Sequence, residues 1–348
     1  MVLRFFCMTG VVFALAGCSG VPAKVPLVVY SPHGKEMLED FKHQFEAVYP
    51  EVDVQWLDMG SQDAYDRVRT EQSNPQADVW WGGPMTVFEK AAQEGLLERF
   101  VPSWDQSVTS GQKSAQGYWY GTFLTPEVIM YNTRMLQQSD APRDWDDLLS
   151  SVWRGKIMIR SPLASGTMRT IFSAIIQREN RAAGDSTAGF QWLQRLDANT
   201  KTYVSDPTQL YMRIAREEAP LTVWDMPDAE LQMNVHSQPF GYVLPSSGTP
   251  VLIDGIAIVR GAPHMDLARK FYEFVTSTQS MIHQAVTYYR IPTRRDIPAA
   301  NLPVWLSAHG WKSMTIDWQD LAAHEQQWML YWDEHVKGSG TAAITSRR

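Results

Sequence analysis

Cysteine is nearly absent from this chain of 348 residues: Cys7 and Cys18 are its only thiols, and both fall near the start. Beyond them no disulfide and no thiolate metal site can form, so the body folds on packing alone. Runs of lysine or arginine are missing too. With a formal net charge of -7 the chain has no electrostatic footprint for nucleic acid or for an anionic lipid surface, and neither is expected as a partner. The sequence has no nucleophile elbow, no paired-histidine zinc motif, no dinucleotide glycine loop and no P-loop, which speaks against the common enzyme classes. His236, His264, His283, His309, His324 and His335 are scattered without metal-ligand spacing and read as surface residues. No catalytic residue, metal ligand or cofactor is expected. Internal repeats, low-complexity tracts and long linkers are likewise missing.

What is present fits a folded body in two domains. Hydrophobic residues make up 44% and charged residues 20%, an ordinary globular balance, and the length is too great for one usual core. The 14 Trp, 13 Tyr and 13 Phe suffice to line a cleft as well as to fill cores, although most aromatics simply pack.

The leader opens with Arg4, continues through an apolar run from Phe5 to Ala16 and ends in Leu15-Ala16-Gly17-Cys18. The run is shorter than the ~20 residues a spanning helix needs. This pattern resembles a bacterial lipoprotein signal, in which the small residue before the cysteine admits the peptidase. The resemblance implies a signal peptide over 1–17, a diacylglycerol anchor on Cys18 and a lipidated tether over 18–25. A plain signal peptide or an uncleaved helix is the alternative.

Strand and helix patterns then alternate. Val25 to Tyr30 is an apolar β-rich run entering the loop Ser31-Pro32-His33-Gly34; Leu38, Phe41, Phe45 and Val48 recur at helical spacing until Pro50. A strand over Val52–Trp56, a helix over Ala64–Glu71 and a strand over Ala77–Trp81 follow. A second block starts with the strand Lys156–Ile159 and a helix from Met168 to Arg178. Leu252–Val259 and Met265–Ser277 then read as a strand and a helix returning to the first lobe. The expectation is an α/β fold with largely parallel sheets: lobe 1 from 26–120 plus 252–300, lobe 2 from 121–251, and a C-terminal helical segment over 301–348.

The stretches Val29-Tyr30-Ser31-Pro32-His33-Gly34, Asn74 to Trp81, Gly95-Leu96-Leu97-Glu98 and Ile256-Ala257-Ile258-Val259 carry a family resemblance. The chain resembles the extracellular solute-binding proteins of ABC transporters, of the ferric-ion-binding type, from about Leu27 to Ile297. The resemblance implies a type II periplasmic-binding-protein fold, with two α/β lobes joined by crossing strands and a ligand cleft between them. It also implies a monomer at the cell envelope that delivers its solute to an inner-membrane permease. Ferric-ion binders of this type use a Glu after the third strand and a pair of adjacent tyrosines in the second lobe. Here Gly82-Gly83-Pro84 and Val223-Trp224-Asp225 stand in those places, and His33, Asp225 and Asp254 are weak substitutes for hard Fe(III). Members that bind sugar phosphates or phosphonates are the nearer resemblance; ferric-ion transport and a secreted enzyme are the alternatives.

Candidate ligand residues follow from position. In open α/β sheets the ligand crevice lies beyond the carboxyl ends of the strands, which nominates Ser31, His33 and Gly34 after the first strand and Trp81, Gly82 and Gly83 after the third. Trp80 and Trp81 point to opposite faces, so at most one of them lines the cleft. Trp224 and Asp225 pair a stacking surface with a carboxylate, or else a core Trp with a helix cap. Asp254 lies inside an apolar strand, as scaffold or as cleft wall. Ser165, Gly166 and Thr167 precede a helix, where free N–H groups and the helix dipole favour an anion; simple N-capping is the alternative. Arg169 falls in the first turn of that helix, where a cation is unfavourable unless an anion offsets it. A small anionic solute is the expected ligand.

Overall fold

The computed structural model describes residues 23–339 except Ser186 and His309; the leader, with Cys7 and Cys18, lies outside the described residues. The chain opens with β1 (Val25–Ser31), α1 (Lys35–Val48), β2 (Val52–Asp58), α2 (Ser61–Thr70), β3 (Val79–Pro84), α3 (Met85–Gln93) and β4 (Leu97–Glu98). The long strand β5 (Tyr120–Asn132) leads into a second unit of β6 (Ile157–Arg160), α4 (Gly166–Ala183), α5 (Ala188–Asn199), β7 (Thr200–Val204), α6 (Pro207–Ala215), β8 (Leu221–Asp225), α7 (Met226–Asn234) and β9 (Phe240–Val243). Then come β10 (Val251–Val259), α8 (Met265–Val275), α9 (Thr278–Tyr288), β11 (Ile291–Pro292), α10 (Val304–Ala308) and α11 (Trp318–Tyr331).

One strand belongs to both halves. Along β5, residues up to Pro126 pair with β10, while Glu127 onward pairs with β8 and β9. The chain returns at Val251, opposite Pro126, so β5 and β10 cross side by side. The main path through the sheet runs β2-β1-β3-β10-β5-β8-β6-β7, parallel for β1 with β2 and β3 and for β6 with β7 and β8, antiparallel where β5 and β10 cross. This is the two-lobed α/β arrangement of type II periplasmic binding proteins.

Alternation along the strands divides the cores. Leu27 and Val29 face one layer, with Phe41 and Phe45 of α1 and Phe271 of α8; Tyr30 faces the other, with Tyr65 and Phe88. Each such apolar side chain contributes about 1.5–3 kcal/mol when fully buried. The second unit has its own core around Ile157, Ile159, Phe172, Ile175 and Trp192. The C-terminal segment joins both: Met329, Trp332 and Val336 enter that second core, while α11 packs on α3 as well as α4.

Boundaries differ from the sequence reading where caps decide them. Ser165 accepts the Met168 N–H at 3.3 Å, so α4 begins at Gly166 and not at Met168. β3 continues through Gly82 and Gly83, whose φ of 106° and 122° only glycine tolerates, and Pro84 is the N-cap of α3.

Candidate ligand cleft

The strands of both lobes end on one cavity of about 230 Å³. Lobe 1 supplies His33 after β1, Asp58 at the end of β2 with Met59 to Ser61 beyond it, and Pro84 at the end of β3. Lobe 2 supplies Arg160 at the end of β6, the start of α4 at Ser165 to Thr167, the start of α6 at Asp206 to Thr208, and Trp224, Asp225 and Asp228. Thr125, Leu252 and Asp254 of the crossing strands form the floor with Arg290.

The lobes touch across this cavity. A Cβ on Gly166 would come within 2.7 Å of Pro84 Cγ and 3.2 Å of Ser61 Oγ, and a Cβ on Gly60 within 2.9 Å of the Ala164 carbonyl. The N-termini of α2 and α4 therefore meet with little space between them. Ser165 takes one N–H of α4, and Gly60, which caps α2, has no side chain to give. N–H groups left over at these ends, and the roughly half unit of positive charge each helix carries there, point at the same space. Arg160 stands beside them, its guanidinium over the Trp224 ring at 5.9 Å, and burial lowers its pKa.

Much of the remaining lining is acidic. Asp254 accepts from Thr125 Oγ1 at 2.7 Å and from the Gly83 N–H at 3.0 Å, and burial raises its pKa despite both bonds. Asp225 caps α7, accepting the Asp228 N–H at 2.8 Å; burial and then Asp228 hold its pKa well above the carboxylate range. Asp228 pairs with Arg290 at 3.0 Å. Burial would lower the Arg290 pKa, but Asp228, Asp225 and Asp254 outweigh it. His33, edge-on to Trp81 and Phe123, has its pKa depressed by burial and by Arg290, so it lines the cleft as a neutral ring.

Of the residues singled out from sequence, His33, Ser165, Gly166, Thr167, Trp224, Asp225 and Asp254 lie on the cavity. Ser31, Gly34, Trp81, Gly82 and Gly83 do not. Trp81 faces the lobe 1 core with Phe41 and Phe271, because the alternation of β3 sends Trp80 and Trp81 into the two packing layers and leaves neither for the cleft. Ser31 is buried and accepts the His33 N–H; Gly34 gives its N–H to Asp58; Gly82 backs His33 and Gly83 holds Asp254. These four support lining residues from behind. Arg169 does not answer an anion in the cleft. It donates to the Leu163 carbonyl at 3.1 Å and sits in the field of Glu325, on the far side of α4.

Sequence reasoning passed over Asp58, Ser61, Thr125, Arg160, Asp206, Asp228 and Arg290. The strand-end rule would have reached Asp58 and Arg160, and Asp206-Pro207 is a helix-start signature. Arg290 follows α9, and no local pattern announces it.

Two α/β lobes crossing on paired strands, with the strand ends closing on one small polar cavity, define a cleft-type binding protein. The chain belongs to the bacterial extracellular solute-binding proteins, whose family model matches residues 36–332. A Sinorhizobium fredii protein named as an ABC transporter periplasmic-binding protein is 28% identical over 87% of this chain and 84% of its own length. A Salmonella typhimurium periplasmic protein named for 2-aminoethylphosphonate binding is 24% identical over 89% of this chain and 92% of its own. Among solved structures, a periplasmic binding protein of Actinobacillus pleuropneumoniae with exogenous fructose-6-phosphate bound superposes with a TM-score of 0.79 at 22% identity, covering 91% of this chain and all 100% of that one. The protein is thus a periplasmic solute-binding component of an ABC transporter. No helix among the described residues is long and apolar enough to cross a membrane.

Proposed function

We propose that the cleft captures a small anionic solute bearing a phosphoryl or phosphonyl group, an organophosphate, sugar phosphate or phosphonate, and delivers it to an inner-membrane permease without altering it. The observation that carries this reading is the meeting of the α2 and α4 N-termini beside Arg160, an arrangement suited to a doubly charged tetrahedral anion. The relative named for an aminophosphonate and the solved structure with a bound sugar phosphate support it. The lobes of 26–120 plus 252–300 and of 121–251 close by bending where β5 and β10 cross, and Cys18 tethers the chain to a membrane of the envelope through lipid. Ferric ion finds less support, since Gly82-Gly83-Pro84 and Val223-Trp224-Asp225 stand where ferric-ion binders of this type carry a Glu and two adjacent tyrosines.

Native mass spectrometry of freshly purified protein, with calorimetry against phosphate esters and phosphonates, tests the reading. A retained or bound phosphorus compound, recovered intact, is the expected result. Binding confined to neutral solutes, or recovery of chemically changed ligand at catalytic turnover, overturns it.

A further inference from the structure

The cleft holds more carboxyl groups than an anion site needs. Asp58, Asp206, Asp225, Asp228 and Asp254 line it against Arg160 and Arg290. Several of these carboxylates have protein partners: Asp206 caps α6, Asp225 caps α7, Asp228 pairs with Arg290 and Asp254 accepts from Thr125 and Gly83. Behind them lies one that has none. Glu127 is fully buried, and neither of its carboxyl oxygens has a hydrogen-bond partner among the described residues.

Register shows where that side chain points. Glu127 stands directly across from Asp225 in the β5–β8 pair, and cross-strand partners share a face of the sheet. It also follows Thr125 by two residues along β5, hence on the same face, and Thr125 lines the cavity. Glu127 is therefore aimed at the cavity floor, in the field of Asp225 and Asp254. A buried polar group without a partner is costly, and native proteins keep few of them. Among the described residues no group of three or more His, Cys, Asp or Glu is placed to hold a metal ion; a protonated amine, with three donors and one positive charge, suits a floor that Glu127, Asp225 and Asp254 face with carboxyl groups.

We propose that Glu127, Asp225 and Asp254 form a subsite for an organic cation, so that the natural solute is dipolar, an amine at this end and a phosphoryl or phosphonyl group at the α2 and α4 N-termini. The subsite rests on the phosphoryl reading above and adds to it the second charge. Calorimetry with phosphoethanolamine and with ethyl phosphate separates the two, since these compounds share the anion and the two-carbon chain and differ in the amine. Phosphoethanolamine is expected to bind roughly 30-fold more tightly, the scale of a buried charge pair. Glu127→Gln, which keeps size and shape, should remove most of that difference while leaving ethyl phosphate affinity unchanged, and its melting temperature checks the fold. Equal affinity of the wild-type protein for both compounds overturns the subsite and leaves the phosphoryl reading standing. A preference that survives in a folded Glu127→Gln variant and in Asp254→Asn overturns it as well. Failure of both compounds to bind at millimolar concentration overturns both readings together.

Discussion

Gly166 of lobe 2 lies against Pro84 of lobe 1 so closely that a single added Cβ would sit 2.7 Å from the proline ring. The obstacle is wholly between lobes, because Gly166 has backbone angles that alanine accepts. Gly166→Ala should leave the unliganded melting temperature unchanged or higher and oppose closure. Overpacking of about 1–3 kcal/mol in the closed form alone corresponds to affinity losses of about 5- to 150-fold. Calorimetry together with small-angle scattering of the saturated protein checks this; a fully compact, tight-binding variant would refute it.

Ser165 and Thr167 separate capping from ligand contact. Ser165 accepts the Met168 N–H, so Ser165→Ala should lower stability by about 1 kcal/mol. Thr167 lines the cavity without that duty, and Thr167→Val should weaken phosphate-ester binding well beyond any change in thermal melting. If affinity stays the same in both variants, the start of α4 is only a cap.

Trp224 is the one tryptophan on the cavity among the described residues, although the sequence holds 14. Ligand should change intrinsic fluorescence, and Trp224→Phe should abolish most of that change. A signal that persists in the variant would have to come from lobe motion sensed elsewhere.

Glu325 of α11 contacts Thr86 at the start of α3, accepting its hydroxyl at 3.2 Å. Burial pushes its pKa up from 4.5 to about 7, with Arg169 and Thr86 pulling it back only in part. The folded protein therefore keeps this proton where the unfolded chain has lost it. Its contribution to stability is whole below pH 4.5 and is lost as pH rises through about 7, a change on the order of 3 kcal/mol. Glu325→Gln should flatten that slope, raising the melting temperature relative to the parent at pH 8 and not at pH 4. Parallel melting curves for the two proteins across this range would refute the assignment.

Cys18→Ala should move the protein from the membrane fraction to the soluble one, because no cysteine follows it to take lipid instead. Retention of the variant on membranes through washing would rule out the anchor.

Much of lobe 1 was legible because its elements are amphipathic with regular periods: Leu38, Phe41 and Phe45 announce α1 from Lys35 to Val48, and Val52 to Trp56 alternate as β2 does. The helix-start triplet at Ser165 and the Asp254 buried in an apolar strand were legible for the same local reasons. Trp81 was misjudged because a strand end names two faces and only packing chooses between them; here both faces are core. Arg290 reaches the cleft by a chain return from α9, and strand pairing sets Glu127 behind its lining, across from Asp225. Their neighbours, Asp228 and Asp225, are distant in sequence, and no window of residues contains those contacts.

Helix α11 holds Met329 in the core of one lobe and Glu325 against Thr86 of the other. Any rotation about the crossing strands must slide this helix, which contributes no residue to the cavity lining, over α3 or α4. The work of that sliding enters the balance between open and closed forms, and affinity scales with the fraction of molecules able to close. Substitutions along the α3–α11 seam thus tune how tightly the protein holds its cargo, and how readily it yields it to the permease, without altering a single atom that the cargo touches.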